Sequence, residues 1–128
     1  MPDLSALIER IEALTGTDDL VDAEIYATIG GAPHTTRAGG RVIPLILKHD
    51  SPKWPRYTAS LDAAVALVER VLPGYKWSAG FSRHVPHNAQ VWAPSGHGYY
   101  EGECDSNRAI ALILAALRAL HAQEGRDG

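Results

Sequence analysis

Cysteine is nearly absent from this chain of 128 residues, whose only thiol is that of Cys104. One cysteine excludes an intramolecular disulfide, which is typical of proteins that work in a reducing compartment. A secretory signal is not expected either, because Asp3 and Glu9 lie where a signal peptide has a basic flank and an apolar run. We therefore expect a cytoplasmic protein.

The chain also lacks a long hydrophobic run and an excess of basic residues. Its longest apolar-rich segment, 109–120, is interrupted by Arg118 and is too short to cross a bilayer, so no membrane partner is expected. The formal net charge is −3 with neutral histidines, which argues against broad binding to a phosphate backbone. Neither GxxxxGK[ST] nor GxGxxG occurs, so nucleoside triphosphate chemistry is unsupported and we predict no cofactor.

Four segments carry apolar residues three and four positions apart, the spacing of one apolar stripe on a helix. These segments span about 4–14, 20–29, 61–72 and 107–120. The candidate N-caps are Asp18 or Asp19, Ser60, and Asp105 or Ser106. Gly16 separates the first two segments, which predicts an N-terminal helical hairpin.

Three later segments alternate between the two sides of an extended chain, which predicts strands at 75–81, 89–93 and about 97–104. In the third strand one side carries Tyr99, Glu101 and Glu103, and the other carries Tyr100 and Gly102. With the helices, these strands predict a single α+β domain over 1–128. In it, an antiparallel sheet of about three strands is layered with helices and preceded by the helical hairpin.

The part of the chain at about 32–55 is rich in glycine and proline, and we predict an irregular loop there. Within it, 41–48 is apolar and β-branched, but Pro44 lacks a backbone donor, so this segment forms an edge strand at best. Pro52 and Pro55 favour extended chain around Trp54.

Three blocks of the chain have a familiar pattern: LSALIERIEALTG at 4–16, YTASLDAAVALVERVLPGYKWS at 57–78, and RAIALILAALRAL at 108–120. They resemble small proteins encoded in phages and prophages, often of alphaproteobacteria, whose domain is described as a phage ABA sandwich with helical layers around a sheet. The most specific positions are Tyr57, Thr58, Ser60, Leu61, Asp62 and Trp77. The resemblance covers roughly 4–29 and 57–120. It implies a bacterial host cytoplasm and no catalytic residues.

Two catalytic arrangements and one metal site were weighed against ordinary packing. The potential metal ligands are His84, His87, His97 and Cys104, but their spacing matches no closed zinc site, and we predict no metal. Glu101 and Glu103 with His97 could transfer protons, yet paired surface carboxylates are common, and we interpret them as a solvated strand face. Cys104 precedes a helix, but no motif places a base beside it, so we interpret it as a packing thiol.

The best binding surface in the sequence combines aromatic and basic side chains. The predicted partner-binding residues are Lys53, Trp54, Arg56, Tyr57, Tyr99 and Tyr100. Such side chains anchor protein partners or stack on bases. We favour the interpretation that Trp77 and Trp92 belong to the core and that only Trp54 and one tyrosine are exposed, because large aromatic side chains usually bury their area.

The sequence therefore predicts a small non-enzymatic phage-type accessory protein that binds a host or phage protein. The alternative is a nucleotide- or nucleic-acid-binding module that uses the same aromatic and basic residues. Trp54, held in extended chain by two prolines, is the predicted anchor.

Overall fold

The computed structural model describes residues 4–32, 35–44, 54–80, 87–95, 98–105 and 107–127. Over these residues the chain forms α1 (Leu4–Glu12), α2 (Asp19–Thr28), β1 (Thr35–Ala38), β2 (Arg41–Pro44), α3 (Leu61–Val71), β3 (Lys76–Gly80), β4 (His87–Trp92), β5 (Tyr99–Cys104) and α4 (Arg108–Asp127). The strands make a sheet of order β3-β4-β5 and a separate hairpin of β1 and β2, all antiparallel. The predicted α+β fold and its N-terminal helical hairpin are confirmed.

Side-chain caps set where the helices begin. The carboxylate of Asp18 accepts from the N–H groups of Leu20 and Val21, and the hydroxyl of Ser60 accepts from the N–H of Ala63. These two predicted caps are confirmed. At α4 the cap differs from the expectation, because the side-chain oxygen of Asn107 accepts from the N–H of Ile110 at 2.8 Å. Ser106 lies outside the described residues.

Helix α4 is the centre of the core. Its residues from Ala109 to Leu117 are all buried, so the helix is apolar around its whole circumference rather than along one stripe. This burial is explained by its neighbours, since α4 packs on the three-stranded sheet and also against α1 and α3. Helix α1 buries only one side, with Leu4, Leu7 and Ile11 inward, whereas α2 is buried around its circumference over 21–25.

The strand register defines two faces of the three-stranded sheet. Ala89 and Gly102 are paired and buried, so their side of the sheet, which packs on α4, is the inner face. A Cβ atom at Gly102 would lie 2.0 Å from the carbonyl oxygen of Ala111 and 2.7 Å from the nitrogen of Ala115. The sheet and α4 therefore approach each other closely at a position that only glycine fits.

The predicted loop at 32–55 is wrong for its described first part, which forms the β1–β2 hairpin. Four residue pairs join the strands, from Thr35 with Pro44 to Ala38 with Arg41. Gly39 and Gly40 form the turn with φ values of 61° and 81°, the left-handed conformations that a two-residue hairpin turn requires. Pro44 is tolerated because it occupies the last position of β2. The remainder, 45–53, lies outside the described residues.

None of the described helices is both long and apolar enough to cross a membrane.

Candidate functional site

Thr58 is a buried hydrogen-bonding centre of the fold. Its hydroxyl accepts from the N–H of Asp18 at 2.9 Å, and its own N–H donates to the Asp22 carboxylate at 2.7 Å. Its carbonyl accepts from the side-chain amide of Asn107 at 2.9 Å. Thr58 thus joins the starts of α2 and α4, which gives this position a structural role.

The carboxyl group of Asp22 lies in this buried centre. Burial raises its pKa above the ordinary value of 3.8, and the hydrogen bond from the Thr58 N–H offsets part of that shift. Asp22 is 1% exposed, so solvent cannot reach it as a substrate would. We interpret it as an acceptor for Thr58 and not as a catalytic acid.

Tyr57 also belongs to the core, which removes it from the predicted binding surface. The residue is 4% exposed, and its hydroxyl lies close to Gly30, where an added Cβ would be 2.7 Å away. Burial, with the neighbouring Tyr26, raises the pKa of Tyr57 to about 12. The aromatic ring is therefore a packing element, although its sequence context of cations and prolines is typical of an exposed anchor.

The outer face of the sheet, opposite α4, presents the other candidate aromatics. We define it by its three cross-strand rows: Lys76, Trp92 and Tyr99; Ser78, Gln90 and Glu101; Gly80, Asn88 and Glu103. Tyr99 is 57% exposed, and none of the described elements packs extensively on this face. A cation and two aromatic rings therefore stand side by side on adjacent strands.

Hydrogen bonds fix the polar side chains of the outer face. Ser78 donates to the amide oxygen of Gln90, and the Gln90 amide nitrogen donates to Asn88 at 3.1 Å. Tyr99 is hydrogen-bonded to Glu101, and this bond, together with the negative charge of Glu101, raises the pKa of Tyr99. These contacts hold the polar groups beside the aromatic row in defined positions.

The six predicted partner-binding residues are not brought together on one surface. Tyr99 lies on the outer face, whereas Tyr100 is paired with the buried Val91 and faces inward. Trp54 is half-buried and Arg56 is exposed, both before α3, and Lys53 lies outside the described residues. Of the predicted set, Tyr99 is the member that the outer face contains.

Lys76 and Trp92 were not among the six predicted partner-binding residues, and the favoured interpretation placed Trp77 and Trp92 in the core. Trp92 is half-buried on the outer face, and Trp77 is 36% exposed on the edge strand β3. Strand alternation could have placed Trp92 on the outer face, because neighbouring residues of a strand point to opposite faces and Val91 is buried on the inner face.

Two of the candidate chemical residues, Glu103 and Cys104, line a cleft of about 460 Å³ between α1 and the beginning of α4. Its lining residues are Ile11, Glu12, Leu14, Thr15, Glu103, Cys104, Asp105 and Ile110. His87 is paired with Cys104 across β4 and β5, while His84 and His97 lie outside the described residues. Within the described part of the chain, no group of three or more His, Cys, Asp or Glu side chains could hold a metal ion.

The comparisons with known proteins give no relative from which a function could be transferred. No protein-family model matches the chain, and neither a curated protein nor a solved structure matches it.

Proposed function

We propose that this protein is a small non-enzymatic accessory protein of phage type that binds a host or phage protein through its outer face. The observation that carries the proposal is the row of Lys76, Trp92 and Tyr99 on three adjacent strands. Aromatic residues flanked by a cation are the usual anchors of protein interfaces, because they bury a large area with few rotatable bonds.

Rigidity of the outer face supports the same proposal. Ser78, Gln90 and Asn88 are linked by hydrogen bonds, and Tyr99 is held by Glu101. A surface whose side chains are already fixed loses less conformational entropy when a partner docks. This favours recognition of a shaped partner surface by the sheet face.

Charge favours a protein over a nucleic acid as the partner. The outer face carries Glu101 and Glu103 on β5, against the single cation Lys76 on β3. Two carboxylates next to the aromatic row would repel a phosphate backbone. The alternative, a nucleotide- or nucleic-acid-binding module, is supported by Lys76 beside Trp92, since a base can stack on an indole next to a cation.

Capture from a lysate of the host bacterium tests this function. The immobilised protein should retain a specific protein after nuclease treatment, and a Trp92→Ala/Tyr99→Ala variant with an unchanged melting temperature should lose it. Retention of the same proteins by the variant would contradict the proposal. If nuclease treatment abolishes the capture, the nucleic-acid alternative replaces it.

The phage assignment has its own test in the genome. It is supported by the resemblance of 4–29 and 57–120 to phage and prophage proteins, and it expects the gene to lie within a prophage. A location among unrelated chromosomal genes in several hosts would contradict it.

A further inference from the structure

The two edges of the three-stranded sheet differ in how they are held. At β5, the guanidinium of Arg118 donates to the carbonyl oxygen of Glu101 at 2.7 Å and to the carboxylate of Glu12 at 2.7 Å, which ties this edge to α4 and α1. At β3, no other strand within the described residues pairs with the side that faces away from β4. Natural sheets protect such edges or use them for pairing.

The β3 edge also exposes a large apolar side chain. Trp77 is 36% exposed although it points to the inner face, since α4 covers mainly β4 and β5. An exposed indole on a strand edge that no described strand pairs with is a surface suited to another strand.

We propose that β3 pairs with β3 of a second copy of this chain, antiparallel and centred on Ser78. In that register Trp77 lies opposite Ala79 of the other copy, and Lys76 lies opposite Gly80. All five residues of β3 are paired, and the two sheets become one sheet of six strands. The proposal rests on the edge of the sheet and is independent of what the outer face binds.

The amino-acid sequence of β3 complements itself in this register. The large Trp77 meets the small side chain of Ala79, so the indole does not face another large side chain across the new pair. A register centred on Trp77 would instead pair only Lys76, Trp77 and Ser78 with β3 residues of the other copy, and would leave Ala79 and Gly80 beyond the end of the partner strand.

The charged side chains of the two copies are also compatible in this register. The two Lys76 residues lie roughly 13 Å apart along the strands, four residues at the usual strand rise, and do not repel each other at close range. Each Lys76 lies over Gly80, in the row that continues with Asn88 and Glu103 of the other copy. The ammonium group of Lys76 can therefore extend over Gly80 toward the amide of Asn88 and the carboxylate of Glu103.

The pairing would enlarge the outer face. A two-fold axis perpendicular to the sheet keeps both α4 helices on one side and joins the two outer faces on the other. Two rows of Lys76, Trp92 and Tyr99 would then lie on one surface. Because the shared edge is only five residues long, we expect a weak dimer that dissociates on dilution.

Sedimentation equilibrium tests the association. The average mass should rise from the monomer value of 13.8 kDa toward twice that value as the concentration increases. Samples up to about 1 mM would register even a millimolar dissociation constant. Trp77→Ser should shift the dissociation constant upward at least about tenfold, whereas Trp92→Ser, a control on the outer face, should leave it unchanged. A monomer at every concentration would overturn the proposal.

Cysteine cross-linking tests the register even if Trp77→Ser fails to fold. In a Cys104→Ser background, Ser78→Cys should form a disulfide-linked dimer, because opposed positions have Cβ atoms about 5 Å apart. Lys76→Cys alone and Gly80→Cys alone should not cross-link, but an equal mixture of the two should. A dimer that cross-links in neither the Ser78→Cys nor the mixed sample uses another surface and also overturns the proposal.

Discussion

The N–H of Asp18 donates to the hydroxyl of Thr58 at 2.9 Å, joining two residues that are 40 positions apart in the chain. This bond, with those from Thr58 to Asp22 and from Asn107 to Thr58, locks the start of α3 against α2 and α4. The presence of threonine at position 58 is therefore explained by folding. The outer face of the sheet is the better candidate for a functional surface.

Removal of the Thr58 hydroxyl should cost stability. Thr58→Val keeps the shape but leaves the part-buried N–H of Asp18 without its acceptor, and we expect a loss of about 1 to 2 kcal/mol in the free energy of unfolding. Thr58→Ser retains the hydroxyl and serves as the matched control, with a smaller loss from the missing methyl group. Urea denaturation measures both, and equal losses for the two variants would contradict the role of the hydroxyl.

The buried Asp22 should make stability depend on pH. Because burial raises the folded-state pKa above 3.8, the folded protein binds this proton more tightly than the unfolded chain does. Between 3.8 and the raised pKa, stability therefore falls as the pH rises. Asp22→Asn keeps an acceptor for Thr58 and removes this titration.

The measurement is the free energy of unfolding of both proteins between about pH 4 and about pH 7. The stability of the natural protein relative to Asp22→Asn should decrease toward neutral pH. Asp22→Ala should be less stable than Asp22→Asn by about 1 to 3 kcal/mol at every pH, because the N–H of Thr58 loses its acceptor and neither variant titrates at this position. A relative stability that is constant or rises with pH would rule out the raised pKa.

Gly102 should tolerate no side chain. A Cβ there meets backbone atoms of Ala111 and Ala115, which cannot move without displacing α4 from the sheet. We expect Gly102→Ala to cost about 3 kcal/mol. In contrast, nothing lies within 4 Å of a Cβ at Gly16, so Gly16→Ala should change stability by less than about 0.5 kcal/mol. Similar melting temperatures for the two variants would disprove the close approach.

Among the charged residues of the N-terminal half, Glu24 should be the one whose substitution costs the most stability. Its carboxylate is 2% exposed and binds the guanidinium groups of Arg10 on α1 and Arg41 on β2, so it connects the helical hairpin to the β1–β2 hairpin. Glu24→Gln leaves two cations without their counter-charge and should cost about 3 kcal/mol. Glu9→Gln, exposed on α1, is the control and should be nearly neutral by thermal denaturation.

Local patterns predicted the helices and the three-stranded sheet because their signals are short-range. The caps Asp18 and Ser60 act within one helical turn, and the alternation of Tyr99 and Tyr100 follows from strand geometry alone. The spacing predicted Ala64, Val65 and Val68 on the buried stripe of α3. Ala64 and Val68 are buried, but Val65 is half-buried, and the buried Leu67 was not predicted. The spacing of apolar residues predicts which way a side chain points, but not how fully the other elements bury it.

Long-range contacts explain what the sequence did not reveal. Tyr57 is buried by residues near Gly30, far away in the chain, so its own neighbourhood of prolines and cations was misleading. The faces of β4 could be separated by alternation, but only the position of α4 determines that Val91 is covered and Trp92 is not. The β1–β2 hairpin was missed because four-residue strands are too short for a clear alternation.

The central claim, that the outer face binds a protein with Trp92 as an anchor, is tested most directly by calorimetric titration of the captured partner. Trp92→Ala should raise the dissociation constant roughly 30-fold, a loss of about 2 kcal/mol in binding free energy, at an unchanged melting temperature. Trp54→Ala, which removes the anchor expected from the sequence, should cause a much smaller loss. Binding of Trp92→Ala with the affinity of the natural protein, or a larger loss for Trp54→Ala, would contradict the account.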